Sequence, residues 1–450
     1  MKSPGSEQNR LRVWQIAELY PPDYGGGAAI YVQDICRHLA ERGHDVRVLC
    51  TEAADSPAYS IRTEYDGPVR VDRLNLPHFR LKDPGGWMLG MRGWLEHQRK
   101  VIEVVERLLE DWIPDLTQFH TPNALFEECL APLQQRDLPI VGMLHCAWLI
   151  CPRMRLMRSP TGTECEGPAP LRCLECLYSY WDGTHAKAAL KLPWRILKLG
   201  MFPAYRLWSR NEARKAVHGL IGVSEFMAAA HRGRVDGPVN HIPLGIDLSG
   251  LPAERPARPR SPLRFGFVGG FQQHKGIWDV LDAAAGLKRR GLMFELDIWG
   301  PNQETGPVAA RGIEDRVRLR GMYTLREKWS VFGDMDVLLM ATQDREPFGR
   351  VIQEAAAMGA PAIAPDVAGI AEQIRDGVDG LLYRFRDASD LERQMARVIE
   401  EPDLVSRLAA NLWQVVDTRT AVEAVERFYF EILCDQEKTK SDSRDNSRRH

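Results

Sequence analysis

The sequence predicts an α/β protein made of two doubly wound domains with parallel sheets. A unit of apolar strand, glycine-rich loop, amphipathic helix and second strand opens the chain, and the same unit opens again near residue 264, beyond a stretch rich in Pro and Arg. Composition agrees: 44% hydrophobic and 27% charged residues over 450 positions are the balance of packed domains. At such a length roughly three quarters of the unfolded chain's surface is removed from water, so basic stability needs neither disulfides nor metals.

The first unit reads LRVWQIA, then PPDYGGG, then a helix carrying Val32, Ile35, Cys36, Leu39 and Ala40, then VRVLC. Those five positions line one helix face, and Gly43 suits the backbone just past a helix end. Strand, helix and strand in this order build a parallel sheet. LTQFH (116–120) and PIVGMLH (139–145) continue it, each ending in a histidine. The second unit reads RFGFVGG (264–270), FQQHKG, then a helix with Ile277, Val280, Leu281 and Ala284 on one face. FELDIWG, VRLRG and DVLLMAT follow, alternating with helical segments. LPAERPARPRSP (251–262) has no apolar periodicity and reads as the linker.

The net charge of −2 supplies no positive field for nucleic acid, which is excluded as a partner. No secretory signal is visible, and the longest apolar run is about 14 residues against the roughly 20 of a membrane span. Nine cysteines without an export signal read as reduced thiols or metal ligands, and the expected compartment is cytoplasmic.

Chemistry concentrates in DREPFGRVIQEAAAMGAP (344–361), where a helix is expected to open at Pro347. On such a helix Glu346 and Glu354 stand about 12 Å apart, too far for a close catalytic pair. The amides of Phe348, Gly349 and Arg350 would present the positive end of the helix to an anion such as phosphate. A carboxylate able to accept sugar hydroxyls beside a phosphate cradle suggests a sugar nucleotide; a capping acid with a surface glutamate is the plainer alternative.

The pattern EPFGRVIQE, followed by AMGAP, VAGIAEQI and DGVDGLL, resembles a retaining GT-B glycosyltransferase of family 4 (glycosyl transferases group 1). VGGFQQHKG, HIPLGIDL, VSEFM and PPDYGGGAAIYVQDICRHLAERGHDV are similar to further segments of that family, spanning about residues 11 to 430. The resemblance implies two Rossmann-like domains facing across a cleft. It gives Lys275 the donor diphosphate, Glu346 the sugar hydroxyls, Phe348 and Gly349 the sugar and phosphate through their amides, and Glu354 the ribose. His120 would face sugar and acceptor, completing a catalytic set of His120, Lys275 and Glu346. Gly269 and Arg350 join the donor site. The family's arginine after VG is here Gly270. No catalytic metal is assigned; Lys275 and amide dipoles would take the cation's place.

His145 closes its strand where an open α/β sheet binds ligands, and either binds hydroxyls or is structural. Gly26 and Gly27 either admit a ligand close to the backbone or make a turn. Cys151, Cys165, Cys173 and Cys176 lie in a Pro- and Gly-rich insert (about 146–180) and are expected to hold a structural zinc, with reduced thiols, an iron–sulfur cluster or disulfides as alternatives. Residues 187–215 are strongly basic with interleaved aromatics, suited to peripheral contact with anionic lipid or to a solvated helical face.

The expected organisation is a first domain (1–250) that binds acceptor, the linker 251–262, and a second domain (263–410) that binds the nucleotide sugar. A helix (411–435) crosses back as in GT-B enzymes, followed by a disordered tail (436–450). The expected reaction moves a sugar from a UDP- or GDP-sugar to an acceptor hydroxyl on a glycan or glycolipid, with retention, in building surface polysaccharide or glycolipid. A sugar-nucleotide epimerase of similar fold and an inactive nucleotide-sugar-binding protein are the alternatives.

Overall fold

The computed structural model describes residues 10–22, 26–52, 56–76, 90–120, 125–158, 161–169, 171–173, 175–176, 211–255 and 259–447. It divides into two compact units: Met1–Val223 with Met227–Gly245 and Thr418–His450, and Ser224–Phe226 with Ile246–Asp417. Both are parallel-sheet Rossmann-like α/β units.

The first unit runs β1 (Arg12–Ala17), α1 (Gly27–Glu41), β2 (Asp45–Glu52), β3 (Ile61–Asp66), β4 (Val69–Asn75), α2 (Gly90–Asp111), β5 (Leu116–His120), α3 (Phe126–Gln135), β6 (Ile140–Leu144), β7 (Gly219–Gly222), α4 (Glu225–His231) and β8 (Val239–His241). The sheet order is β3-β4-β2-β1-β5-β6-β7-β8, with only the β3–β4 pair antiparallel. The order reverses at β1, which has β2 on one side and β5 on the other. Ligands bind open α/β sheets beyond the carboxyl ends of the strands at such a reversal. His120 ends β5 and His145 stands one residue past β6.

The second unit runs β9 (Leu263–Val268), α5 (Ile277–Arg289), β10 (Phe294–Trp299), α6 (Thr305–Ala309), β11 (Val317–Gly321), α7 (Lys328–Gly333), β12 (Val337–Leu339), α8 (Arg350–Ala357), β13 (Ala362–Pro365), α9 (Ala368–Ala371), β14 (Leu381–Tyr383), α10 (Ala388–Glu400) and α11 (Leu404–Ala410). Its order is β11-β10-β9-β12-β13-β14, so the reversal falls between β9 and β12. Phe265 and Phe267 of β9 join the core with α5 and α10, while Met335 and Leu338 belong to a second core on the other face. Covering on both faces explains why these strands read as continuous apolar runs.

The last helix, α12 (Thr418–Ser447), belongs to the first unit and packs on α1. It starts at Thr418, and Ile246 to Asp417 belong to the second unit, so the expected boundaries at 250 and 411 move. The polar tail expected to be disordered is helical to Ser447. Ion pairs hold this polar stretch, Lys438–Asp435 at 3.3 Å one turn apart and Lys440–Asp137 at 2.6 Å. The basic stretch 187–215 lies outside the described residues except for 211–215. No described helix is long and apolar enough to cross a membrane.

Candidate functional site

In the second unit the site forms where β9 and β12 end. The β9 loop closes in a 3-10 turn, Gln273–Lys275, and enters α5 through Gly276 at φ 73°. A Cβ on Gly276 would lie 1.7 Å from the Ala341 carbonyl oxygen, so only glycine fits. That approach lets the two loops bond: Gln343 N–H donates to His274 O at 2.9 Å and Thr342 Oγ1 to the same oxygen at 3.3 Å. Gln343 Nε2 also donates to Asp279 Oδ2 at 2.6 Å. Lys275, from one loop, and Glu346, from the other, thereby meet at 3.5 Å, each about a third or less exposed.

Helix α8 begins at Arg350 and not at Pro347, because its N-cap Gly349 takes φ 71°, which ends helical continuity upstream. Glu346 therefore sits in the loop, and the axial separation of about 12 Å from Glu354 does not apply. A Cβ on Gly349 would also meet Ile370 Cδ1 at 2.4 Å. The Phe348 ring is buried, and its carbonyl accepts from Gln373 Nε2. Arg350 and Glu354 lie on α8 and both act electrostatically on Tyr323, whose phenol burial holds above its usual range. The Gly269 amide is engaged within the fold, donating to Trp299 O at 2.9 Å.

Gly270 is not a site merely missing an arginine. Its φ is 66°, and a Cβ there would meet Pro301 O at 2.4 Å and the Pro301 nitrogen at 2.8 Å. The backbone excludes any side chain at this position. An Asp-x-Asp sequence does occur, Asp334-Met335-Asp336, but it precedes β12 at the edge away from the Lys275 loop. Asp336 is buried and accepts from Arg260 Nη1 at 3.1 Å and Arg264 N at 2.9 Å, a structural arrangement.

In the first unit His120 is buried, with both ring nitrogens engaged. Gln15 of β1 and Gln118 of β5 are register partners, and Tyr429 of α12 reaches both. Tyr429 Oη donates to Gln118 Oε1, and Gln15 Nε2 donates to Tyr429 Oη at 3.2 Å. That turns Gln15 Oε1 toward His120 Nε2, 2.6 Å away. Burial, and then the neighbouring His145, push the His120 pKa well below its ordinary value, so the ring is neutral. With its Nε2 donating, its Nδ1 is an acceptor for His145 Nε2 at 3.1 Å. His145 is half-buried, and Tyr31 packs edge-on to it with centroids 5.8 Å apart. His120 is thus buried behind the half-buried His145. Gly26 caps α1 in extended conformation and Gly27 opens it, both at the surface near the β1 end.

Sequence reasoning missed Gln15, Gln118, Tyr429 and Tyr323. The signal for the two glutamines was an amide in the middle of a strand that the sheet order buries, since a buried amide requires partners.

Cys151, Cys165, Cys173 and Cys176 form no disulfide and are partly exposed. Among the described residues no group of three or more His, Cys, Asp or Glu side chains is placed to hold a metal ion, so the arrangement expected of these four cysteines is not seen.

A family model described as Glycosyltransferase Family 4 matches residues 25–249, and one described as Glycosyl transferases group 1 matches residues 253–413. The chain belongs to glycosyltransferase family 4. Among relatives of this family 4 chain is glycogen synthase from Mycobacterium tuberculosis, 24% identical over 440 residues, covering 91% of this chain and 94% of that protein. A D-inositol 3-phosphate glycosyltransferase from Nocardiopsis dassonvillei is 30% identical over 230 residues, 46% of this chain and 53% of that one. Among solved structures, Anabaena HepE with UDP and glucose superposes with a TM-score of 0.61 at 17% identity, covering 93% of this chain and 99% of that one. Sucrose-phosphate synthase from Thermosynechococcus elongatus gives 0.60 at 18%, covering 96% and 98%. These neighbours share the GT-B fold, and the activity is glycosyl transfer.

Proposed function

We propose that this glycosyltransferase moves a sugar from a UDP- or GDP-sugar to an acceptor hydroxyl with net retention, and that no divalent cation takes part. One observation carries the reading: the loops after β9 and β12, at the sheet reversal, hold Lys275 against Glu346 at 3.5 Å. In the reaction the bond from C1 to the diphosphate oxygen breaks and its electron pair leaves with the phosphate. The acceptor oxygen bonds to C1 and loses its proton. An ammonium about 4 Å from the developing charge contributes about 4 kcal/mol at an effective dielectric near 20. A partly exposed pair such as Lys275–Glu346 is worth about 0–1 kcal/mol, so an arriving diphosphate takes the lysine over at little cost. Glu346 then turns to the sugar hydroxyls, Glu354 serves the ribose, and the Phe348, Gly349 and Arg350 amides serve the phosphate.

His145 is the hydroxyl contact of the first unit, and His120 is the positioning residue behind it. Gly26 and Gly27 line the same end of the sheet. The acceptor is read as a glycan or glycolipid used in surface polysaccharide, with residues 187–215 as the lipid-facing segment. HepE, solved with UDP, supports the donor class.

The test is turnover of a UDP- and GDP-sugar panel with lipid-linked and free glycan acceptors, with the product anomer read by NMR. Retained configuration and unchanged turnover in EDTA are expected. An inverted product, abolition by EDTA, or donor epimerised with no acceptor present would each overturn the proposal.

A further inference from the structure

Lys275 and Glu346 stand 71 positions apart in the chain and on separate loops, so their spacing is set by whatever ties those loops together. The ties converge on Gln343, three residues ahead of Glu346 in the loop after β12. Its backbone N–H donates to His274 O at 2.9 Å, in the loop that carries Lys275. Its side-chain Nε2 donates to Asp279 Oδ2 at 2.6 Å, in the first turn of α5. Its carbonyl accepts twice from one guanidinium, Arg386 Nη2 at 2.6 Å and Nε at 3.1 Å, which reaches over from the turn between β14 and α10. Two neighbours add to the hold: Thr342 Oγ1 donates to His274 O at 3.3 Å, and Tyr383 Oη to Met340 O at 3.4 Å.

Arg386 is an unusual residue to find in this place. Its φ is 61°, the left-handed region that a Cβ disfavours. The side chain is exposed, so packing into a core does not impose that angle. The guanidinium lies over the Phe385 ring, 5.0 Å from its centroid, with its fork closed on the Gln343 carbonyl. Strain of this kind is kept where the surrounding contacts over-determine it, and it concentrates at functional positions. A charged fork on a carbonyl is also stronger and more directional than a neutral bond.

We propose that Gln343 is a positioning residue for Lys275 and Glu346, and that Arg386 and Asp279 clamp it so that the two loops keep one spacing as the donor arrives. The proposal rests on the reading of Lys275 and Glu346 as donor-site groups. Gln343, Arg386 and Asp279 act through those two and not on the reacting atoms. Because a misplacement of about 1 Å costs about a hundredfold in rate, a loosened clamp is read mainly in kcat. Binding of acceptor, which does not use these loops, is left as it was.

The test uses the full chain and compares hydrogen exchange with steady-state kinetics. Arg386→Gly removes the guanidinium and at the same time relieves the left-handed angle, so its melting temperature is expected within about 2 °C of the wild type. Its amide exchange should quicken about tenfold in segments 273–276 and 342–346. Its kcat should fall about tenfold with the acceptor KM unchanged. If that variant fails to fold, Arg386→Asn, which also tolerates positive φ, takes its place. Gln343→Glu loses the donor to Asp279 and should be impaired alike, whereas Gln343→Glu with Asp279→Asn reverses donor and acceptor and should recover most of the lost turnover. Unchanged exchange in both segments, or wild-type kcat despite faster exchange, would overturn the proposal. Wild-type turnover in Lys275→Ala would instead bring down the donor-site reading, and the positioning role with it, while leaving the exchange result as it stands.

Discussion

Gly276 shows how one residue sets the donor loop. Its left-handed φ of 73° recurs at Gly291, φ 76°, but only Gly276 faces a carbonyl at 1.7 Å from its missing Cβ, whereas nothing lies within 4 Å at Gly291. Gly276→Ala should cost about 2–4 kcal/mol, strain plus clash, and Gly291→Ala about 1 kcal/mol. Calorimetry of the two variants separates the terms, and equal losses would show that the approach to Ala341 is not as described. Lys275→Ala, which leaves both glycines in place, should lower turnover about a hundredfold or more with the melting temperature almost unchanged. Steady-state kinetics and calorimetry on one preparation check both. The same scale shows what a sequence hides. Lys275, Glu346 and Glu354 drew attention in the sequence as ionisable groups in the EPFGRVIQE and QHKG segments that resemble the family. The exclusion of a side chain at Gly270 was not legible, since it depends on Pro301, brought there by the fold.

Among the elements, α12 does the work of a missing wall. Arg42 Nη2 and His44 Nε2 donate to the two oxygens of Glu426, each at 2.6 Å, tying α12 to the corner between α1 and β2. Burial alone would raise the Glu426 carboxyl; bonds from Arg42 and His44 outweigh it and hold the pKa below the usual range. A carboxyl depressed in the folded state contributes stability above its unfolded pKa, about 4.3, and loses it as pH falls further. Glu426→Gln should cost about 2 kcal/mol at neutral pH. It should also flatten the stability profile between about pH 4.5 and 3; denaturant titrations at a series of pH values measure both. Strands such as LTQFH could be read to the residue because their burial is local and continuous. The start of α8 could not, because Gly349 overrides Pro347 through a backbone angle. Nor could the allegiance of residues 436–447, since their ion pair with Asp137 spans most of the chain.

At the scale of the molecule the two units differ in their titration. Burial pushes His120 and His218 below the ordinary value, and His231 to about 4, all three in the first unit. The second unit contains only His274. A histidine held neutral by the fold takes up a proton on unfolding below about pH 6.5, so stability falls with pH from there until the folded group titrates. For His231 alone that amounts to about 3 kcal/mol by pH 4. Between pH 6.5 and 5, before carboxylates intervene, the first unit's calorimetric transition should drop while the second unit's stays in place; equal drops would sink the assignment.

The placement of α12 also bears on how a nascent chain matures. Residues 246–417 leave the ribosome as a finished unit, whereas the earlier-made half still lacks Val422, Val425, Phe428, Tyr429 and Ile432, all buried within it. The part synthesised first therefore completes its interior last. Until residue 429 has emerged, Gln15 and Gln118 have no Tyr429 to meet.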